Sequence, residues 1–388
     1  MFHRAPQKGS NAERSRHRNR QAVLGQIHRS GTMGRAELGR ALSLTTQAVS
    51  NIIAELSDDG LLIERGHLTS GRGLPAKQYA LNPKGGFAFG IEVRPDAVFA
   101  ALLNMSGEPV MTKRIALTKN DPDTIVWQVK SLYQEAIADQ AGAQARMLGA
   151  GIVLPGPFGP TGIKGHGTDL DEWQDIDPKT LFSSALSLPV EVSNDANAAA
   201  MAERLNGAAQ GLSNYAYLYF GAGLGLGLVS GGNLIQGAYG NAGEIGHIPF
   251  PVAKGNLESA LSRLSLQRHL QSMGKKGDDI DVLAALFADN DTDLMDWLDP
   301  ATKALAYAIS IVENLFDPET VILGGAMPDA ILEHFVKHAR LPDQSVSHRP
   351  DASLPRIQRG ASGRMTATLG AAALVLHKTL SPHIAHAH

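Results

Sequence analysis

Between Tyr217 and His247 the chain reads YLYFGAGLGLGLVSGGNLIQGAYGNAGEIGH. An apolar run to Phe220 meets glycines at Gly221, Gly223, Gly225 and Gly227, and a second apolar run ends at Gly231-Gly232-Asn233. Apolar strands around such a turn predict a hairpin. Glycines inside a strand pattern mark places where backbone or a ligand approaches closely. The stretch closes on Glu244-Ile245-Gly246-His247. A carboxylate and an imidazole three residues apart, on a loop that glycines allow to fold tightly, make a polar clamp. Such a clamp suits a polyhydroxyl ligand, which needs both donors and acceptors.

The remainder of the chain limits the setting. At 388 residues with 43% apolar content it can build two or three domains. No run of 18 uncharged apolar residues occurs, so no transmembrane helix and no membrane partner are expected. The basic N-terminus MFHRAPQKGSNAERSRHRNR has no apolar segment and does not read as a secretory signal. Cysteine is absent, which excludes disulfides and thiolate metal sites. These features favour a cytoplasmic protein. Charge is unevenly spread: through Lys84 there are 13 Lys and Arg against 6 Asp and Glu, and beyond it 22 against 32. A basic end on an acidic body points to nucleic acid.

In chain order, residues 1–18 read as a disordered basic tail. A helix is predicted from near Asn19, a second over Arg35 to Leu42, and a third after the N-cap candidate Thr45. Val49, Ile52, Ile53 and Leu56 form the inner stripe of the third helix. Its outer face carries Thr46, Gln47, Ser50 and Asn51, short polar residues able to reach base edges and phosphates. With strands at Leu61 to Glu64 and Gln78 to Leu81, and Arg72 near the tip between them, residues 19–84 read as a winged helix-turn-helix. A small helical docking domain is the other reading. Beyond Pro83-Lys84-Gly85-Gly86, strands are expected at Phe87 to Val93, Val98 to Leu103, Leu148 to Leu154, Val190 to Val192 and Thr320 to Leu323. Helices are expected at Asp123 to Gln140, Ala196 to Leu205, several places from Leu257 to Phe316, and about Thr368 to His377. That order suggests α/β lobes around a cleft. Asn194-Asp195, between a strand and a helix, reads first as an N-cap pair. The acidic segment Asp278 to Asp299 reads as solvated helices.

Taken together, Leu154-Pro155-Gly156-Pro157, Asn194-Asp195-Ala196-Asn197-Ala198, Tyr217 to His247 and Val321-Ile322-Leu323-Gly324-Gly325 resemble the signature of the ROK family, which joins sugar kinases and sugar-responsive repressors. The resemblance covers roughly residues 85 to 380. It implies a two-lobed actin-like or ribonuclease-H-like α/β body, with the last helix returning to the first lobe, so that the first lobe takes about 85–192 plus 365–388 and the second about 193–364. The preceding α+β winged helix-turn-helix resembles that of the repressor branch. By resemblance Asn194 binds sugar and Asp195 matches the kinase general base, expected here to be vestigial; Glu244, His247 and Glu258 match sugar-binding positions.

Two departures qualify the resemblance. Most ROK proteins place three cysteines between the matching His and Glu to hold zinc; here the interval is IPFPVAKGNL, so no metal is expected, and Ile248, Phe250 and Val252 are expected to hold the loop by packing. ROK kinases carry an Asp-x-Gly-Gly-Thr phosphate turn; here Glu92-Val93-Arg94-Pro95-Asp96 stands in its place. Pro95 removes an N–H, and Asp96 is expected to put negative charge where phosphate would sit. The second turn, Gly221-Ala222-Gly223, lacks its hydroxyl. The expectation is a transcriptional regulator, a repressor of carbohydrate genes above all, with no cofactor and no enzymatic activity. Its partners would be operator DNA, a sugar or sugar derivative, and a second copy in a homodimer or higher oligomer. A sugar kinase with an N-terminal extension is the alternative, and a regulator answering to a protein partner a third. Effector, operator and sign of regulation are not readable from the sequence.

Overall fold

The computed structural model describes residues 10–68, 76–157, 171–173, 176–251, 255–361 and 363–381. The first helix, α1 (Ser10–Ser30), starts well before Asn19. The expectation of disorder through residue 18 is therefore corrected over residues 10–18. The reason is electrostatic: Arg16 and Arg20 are not free in solvent but donate to Glu55 at 3.2 and 3.1 Å, and Arg20 also pairs with Asp59. These pairs lie across α3 (Thr46–Asp58), which follows β1 (Met33–Gly34) and α2 (Arg35–Leu42). Thr45 caps α3, its hydroxyl accepting from Ala48 N at 3.2 Å. Val23, Leu24, Ile27, Leu38, Val49, Ile52, Ile53 and Leu56 are all buried in one core. The strands β2 (Leu62–Leu68) and β3 (Ala76–Leu81) pair antiparallel and β1 joins β3, completing a winged helix-turn-helix.

Two five-stranded sheets follow. In the first, β4 (Phe87–Arg94), β5 (Ala97–Asn104) and β6 (Pro109–Ala116) form a meander. After α4 (Pro122–Ala138), β7 (Met147–Val153) pairs parallel to β4; after α5 (Pro178–Leu186), β8 (Val190–Ser193) pairs parallel to β7. The sequence reading had not anticipated β6, whose Pro109-Val110-Met111-Thr112-Lys113-Arg114 stretch alternates half-buried and exposed residues, as an edge strand does. The chain then crosses through α6 (Asp195–Asn206) into the second sheet, of order β11-β10-β9-β12-β13. It contains β9 (Tyr215–Phe220), β10 (Leu224–Ser230) and β11 (Asn233–Leu234). Four helices follow: α7 (Leu257–Leu261), α8 (Arg263–Ser272), α9 (Ile280–Ala288) and α10 (Thr292–Phe316). Then come β12 (Val321–Gly325), α11 (Asp329–His338), β13 (Ile357–Arg359) and α12 (Thr366–Leu380). In the acidic segment, Leu283, Leu294 and Trp297 turn inward to the second core while the carboxylates stay outside.

The alternate glycines of β10 have a packing cause. Leu224, Leu226 and Leu228 point into the second core, so Gly225 and Gly227 face the other way. A Cβ at Gly225 would lie 2.8 Å from Ala196 Cβ, and one at Gly227 would meet Ala196 O at 2.5 Å. The glycines thus let α6 lie directly on the strand. On its far side α6 meets α12 just as closely, since a Cβ at Gly370 would overlap the Ala198 carbonyl. The same helix α12 lies on the first sheet, where Cβ atoms at Gly90 and Gly151 would collide with the carbonyls of Thr368 and Ala371. Helices α6 and α12 are therefore a shared layer between the lobes.

The N-terminal module docks on this layer. Gln21 Nε2 donates to Lys378 O at 2.7 Å, and Gly25 leaves no room for a Cβ beside Leu380 O. His28 Nε2 meets Ser106 O at 3.3 Å, and burial lowers its pKa. A cavity of about 260 Å³, lined by Gln21, Leu24, Leu61, Leu148, Pro189 and Val375 among others, remains in the seam. No helix among the described residues is long and apolar enough to cross a membrane.

Candidate ligand site and DNA-facing helix

The cleft site is built at the start of α6. Asn194 caps that helix, its Oδ1 accepting from Asn197 N at 2.8 Å, and it is 7% exposed. Its N-cap role and a role toward ligand are compatible, because capping uses only the oxygen. Asp195, the next residue, accepts from Ala196 N at 2.8 Å. Its other oxygen looks over Gly221, where a Cβ would come within 3.2 Å. Desolvation, then the neighbouring Glu92, raise the Asp195 pKa to about 6; the Ala196 N–H and Arg94 pull against them. The carboxyl can thus exchange a proton near neutral pH.

From the second lobe, the segment Gly243 to His247 lies against β10. Leu226 N donates to Gly243 O at 3.1 Å; Gly243 has φ +94° and no space for a side chain over Leu226 O. That close backbone approach aims Glu244 into the cleft. Glu244 Oε2 stands 3.7 Å from His247 Nε2, with about a third of each side chain exposed. Burial raises the Glu244 pKa, His247 opposes this, and Glu258 adds to it. Gly156, in the loop after β7, sits between Glu244 and Asn194: a Cβ there would be 3.5 Å from Glu244 Oε1 and 3.9 Å from Asn194 Cβ. Residues of both lobes therefore meet at one place. Glu258, at the start of α7, reaches the same region, but one of its oxygens accepts from Leu224 N at 3.1 Å and so holds the Gly221-Ala222-Gly223 turn.

The described part of the loop after His247 is packed and hydrogen-bonded. Phe250 is buried against Tyr307 with ring centres 5.6 Å apart, and Phe250 N donates to Gly255 O at 3.1 Å. Val252 lies outside the described residues. Among those residues, no group of three or more His, Cys, Asp or Glu is placed to hold a metal.

The altered phosphate turn is arranged differently from expectation. Asp96 is exposed and pairs with Arg114 at 3.4 Å. It is Arg94, two residues earlier and the last residue of β4, that lies within electrostatic reach of Asp195, whereas Asp96 sits in the turn before β5. Arg94 Nε donates to the buried Glu92 Oε1 at 2.6 Å, and the guanidinium lies 4.4 Å over the Phe99 ring. Burial opposes its charge, but Glu92, Tyr219 and Asp195 outweigh burial and hold the pKa above the ordinary value. Glu92 also accepts from Thr368 of α12 at 2.6 Å. The sequence reading singled out neither Arg94 nor Thr368 as a site residue; a charged side chain at the end of a buried strand was the available signal for the first. The pair Gly324-Gly325 has a packing role: a Cβ at Gly324 would overlap the Tyr217 hydroxyl.

On the N-terminal module, Thr46, Gln47 and Asn51 are exposed and Ser50 half-buried on the outer face of α3. Gln47 Nε2 donates to Asn51 Oδ1 at 2.9 Å. Arg72 lies outside the described residues.

Two sheets closing on a carboxylate-lined cleft, behind a winged helix-turn-helix, define a two-lobed sugar-kinase-like body with an appended DNA-binding-type module. The chain matches the model of the ROK family over residues 88–378, and it belongs to that family. It is similar to the xylose repressor of Bacillus subtilis, at 27% identity over 315 residues covering 79% of this chain and 81% of that one. It is also similar to a glucokinase of Halalkalibacterium halodurans, at 29% identity over 314 residues covering 72% and 90%. A solved ROK family transcriptional regulator, a homologue of the E. coli MLC protein, superposes with TM-score 0.73 at 24% identity, covering 95% of this chain and 98% of that one. The ROK hexokinase of Thermus thermophilus superposes with TM-score 0.58 at 24% identity, covering 74% and 97%.

Proposed function

We propose that the protein is a DNA-binding transcriptional regulator, a repressor of carbohydrate uptake or catabolic genes, whose hold on operator DNA is set by a sugar or sugar derivative in the cleft. Residues 19–84 read DNA through Thr46, Gln47, Ser50, Asn51 and Arg72. The body from residue 85 onward senses the ligand through Asn194, Asp195, Glu244, His247 and Glu258. The xylose repressors among its relatives support this reading, as does a structural match to a transcriptional regulator that extends over the N-terminal module.

The observation that carries the proposal is the layer of α6 and α12. Helix α6 starts at Asn194 and Asp195, and at its other end Asn206 Nδ2 donates to Gly107 O at 2.6 Å, beside the Ser106 that meets His28. Helix α12 runs from Thr368, bonded to Glu92 in the cleft, to Lys378, bonded to Gln21 of α1. A ligand gripped by both lobes favours one lobe angle over another, and the two helices carry that angle to the DNA-reading module. In a homodimer this alters the distance between recognition helices, which half-site spacing fixes closely.

The kinase reading rests on Asp195 and on the glucokinase relative. Against it stand Pro95, which supplies no N–H, and Arg94 and Glu92, which fill the first phosphate turn with side chains. Phosphoryl transfer depends on positioning and charge stabilisation, so this protein phosphorylates no sugar. The chain acts in the cytoplasm, where its DNA is. Incubation with a sugar panel and magnesium ATP tests the distinction: phosphorylation lost in Asp195→Asn would make the kinase reading the correct one. Retained preference for its own upstream DNA with no turnover supports the regulator.

A further inference from the structure

The N-terminal module and the body touch at two places with a gap between them. At one, Gln21 and Gly25 of α1 rest against Lys378 O and Leu380 O of α12. At the other, Arg146, at the entry to β7, donates from Nη1 to Asp59 O at 2.5 Å. The cavity of about 260 Å³ is lined by Gln21 and Lys378 from the first contact, and by Leu61 and Leu148, each two residues from the second. It therefore fills the space between the two braces. Its aliphatic walls come from both parts: Leu24 and Leu61 from the module, and Leu148 of β7, Pro189 before β8 and Val375 of α12 from the body. It is separate from the cleft, since Thr368, which bonds Glu92 there, lies seven and ten residues before Val375 and Lys378 on α12, about 10–15 Å away along the helix.

The charges at the rim are already answered. Arg20 donates to Glu55 at 3.1 Å and pairs with Asp59, both within the module, and Lys378 pairs with Glu191 within the body. His17, at the mouth, is exposed to water. A charged ligand would lose hydration here and meet no open counter-charge. Gln21 is different. Its Nε2 is held by Lys378 O, which fixes the two ends of the amide, while its Oε1 is buried with no hydrogen-bond partner. That acceptor needs a donor from within the seam.

We propose that this cavity is a second ligand site, which takes an uncharged molecule of a single ring carrying one hydroxyl or N–H donor, and that the ligand acts on DNA binding. An apolar cavity of about 150 Å³ already holds benzene, and drug-sized ligands take roughly 300–1,000 Å³, so the seam suits one ring with a short substituent. The ring takes the aliphatic walls and the donor takes Gln21 Oε1. Bound there, the ligand touches module and body together and so favours the docked position of α1 on α12. Helix α1 in turn holds α3 through Arg16 and Arg20 on Glu55, so the site acts on the outer face of α3 from the end of α12 opposite the cleft. Binding is independent of the sugar-sensing reading; the effect on DNA rests on the regulator reading.

The test is binding of small probes to the full chain by calorimetry and thermal shift, with DNA affinity read by anisotropy. The probes are phenol, toluene, benzoate and benzylamine, which share a ring and differ in donor and charge. Phenol should bind about ten-fold or more tightly than the other three. It should also shift affinity for the protein's own upstream DNA by about five-fold or more. In Leu148→Phe, which fills the cavity, phenol affinity should fall by about ten-fold or more and the DNA shift should vanish. Leu24→Phe serves as the second filling variant, and melting of each variant without ligand reports its fold. In Gln21→Met the preference for phenol over toluene should fall toward one. Phenol binding that survives both filling variants overturns the site, as does a probe order led by benzoate or benzylamine. Binding of no probe also overturns it and leaves the sugar sensor standing. Phenol that binds as expected, in a protein with no preference for its own upstream DNA, supports the site and overturns the regulator reading. Phenol that binds without moving DNA affinity, in a protein that has that preference, overturns the proposed action on DNA.

Discussion

Gln21 and Lys378 join the DNA-reading module to the sensing body: the amide of Gln21 donates to the Lys378 carbonyl at 2.7 Å, in the last turn of α12. Ten residues earlier on the same helix, Thr368 donates to Glu92 at the cleft. At 1.5 Å per residue those two contacts are about 15 Å apart on one rigid rod. Gln21→Ala should cost about 1 kcal/mol of stability and should shrink the effect of sugar on DNA affinity while leaving sugar affinity within about two-fold. Calorimetry of sugar binding and anisotropy of DNA binding separate the two quantities. An unchanged sugar effect would place the coupling elsewhere.

The closeness of α6 and α12 gives a second expectation. Gly370→Ala puts a methyl against the Ala198 carbonyl, which is backbone and cannot rotate away. Such overpacking costs about 1–3 kcal/mol, measurable as a shift in the urea midpoint. Gly363→Ala, with no atom within 4 Å of the added carbon, should stay within about 0.5 kcal/mol. Equal midpoints for the two variants would mean that the layer is not tightly packed.

Asp195 sets a pH dependence. Its pKa rises from the ordinary 3.8 to about 6 in the folded protein, so the folded state holds the proton that the unfolded state has already released. The group is neutral in its effect below about pH 4. It removes up to about 3 kcal/mol of stability as pH rises through the window between the two values, and the loss is complete above pH 6. Asp195→Asn should flatten that segment of the stability curve and raise stability at pH 7 relative to pH 4. Parallel curves for the two proteins between pH 4 and 7 would show that the carboxyl is well solvated.

The exposed face of α3 gives the expectation for DNA. Asn51 receives a hydrogen bond from Gln47, an arrangement that fixes both amides for bidentate contact with a base. Asn51→Ala should weaken binding to the specific site by about 1–3 kcal/mol and binding to random DNA much less. Equal losses on both, measured by competition anisotropy, would assign Asn51 to phosphate.

Much of the architecture was legible because its signals are local. The stripe Val49, Ile52, Ile53 and Leu56 faces inward as its spacing implies, and glycine runs marked the close approach of α6 to β10. What was not legible depends on distant partners. Nothing in SNAERSRHR reveals that Arg16 meets Glu55, so helix there read as tail. The direction of Arg94 rather than Asp96 into the cleft depends on where the hairpin turn falls, and Tyr219, which acts on Arg94, and Thr368, which bonds its partner Glu92, come from far along the chain. Asn194 and Asp195 could be placed at a helix start from sequence, but their proximity to Glu244 required Gly156 and the fold of both lobes.

The central claim is that a ligand held at Glu244 and Asp195 controls DNA binding. The most direct measurement is fluorescence anisotropy of the protein's own upstream DNA, titrated with the full chain with and without the sugar or sugar ester that calorimetry selects, for the parent and Glu244→Ala. In the parent the ligand should shift DNA affinity by roughly 5- to 150-fold, a coupling of about 1–3 kcal/mol. Glu244→Ala should bind DNA with unchanged affinity when no ligand is present and should show no shift when it is added. A parent whose DNA affinity ignores every ligand that binds the cleft, or a Glu244→Ala protein that keeps the full shift, would contradict the account.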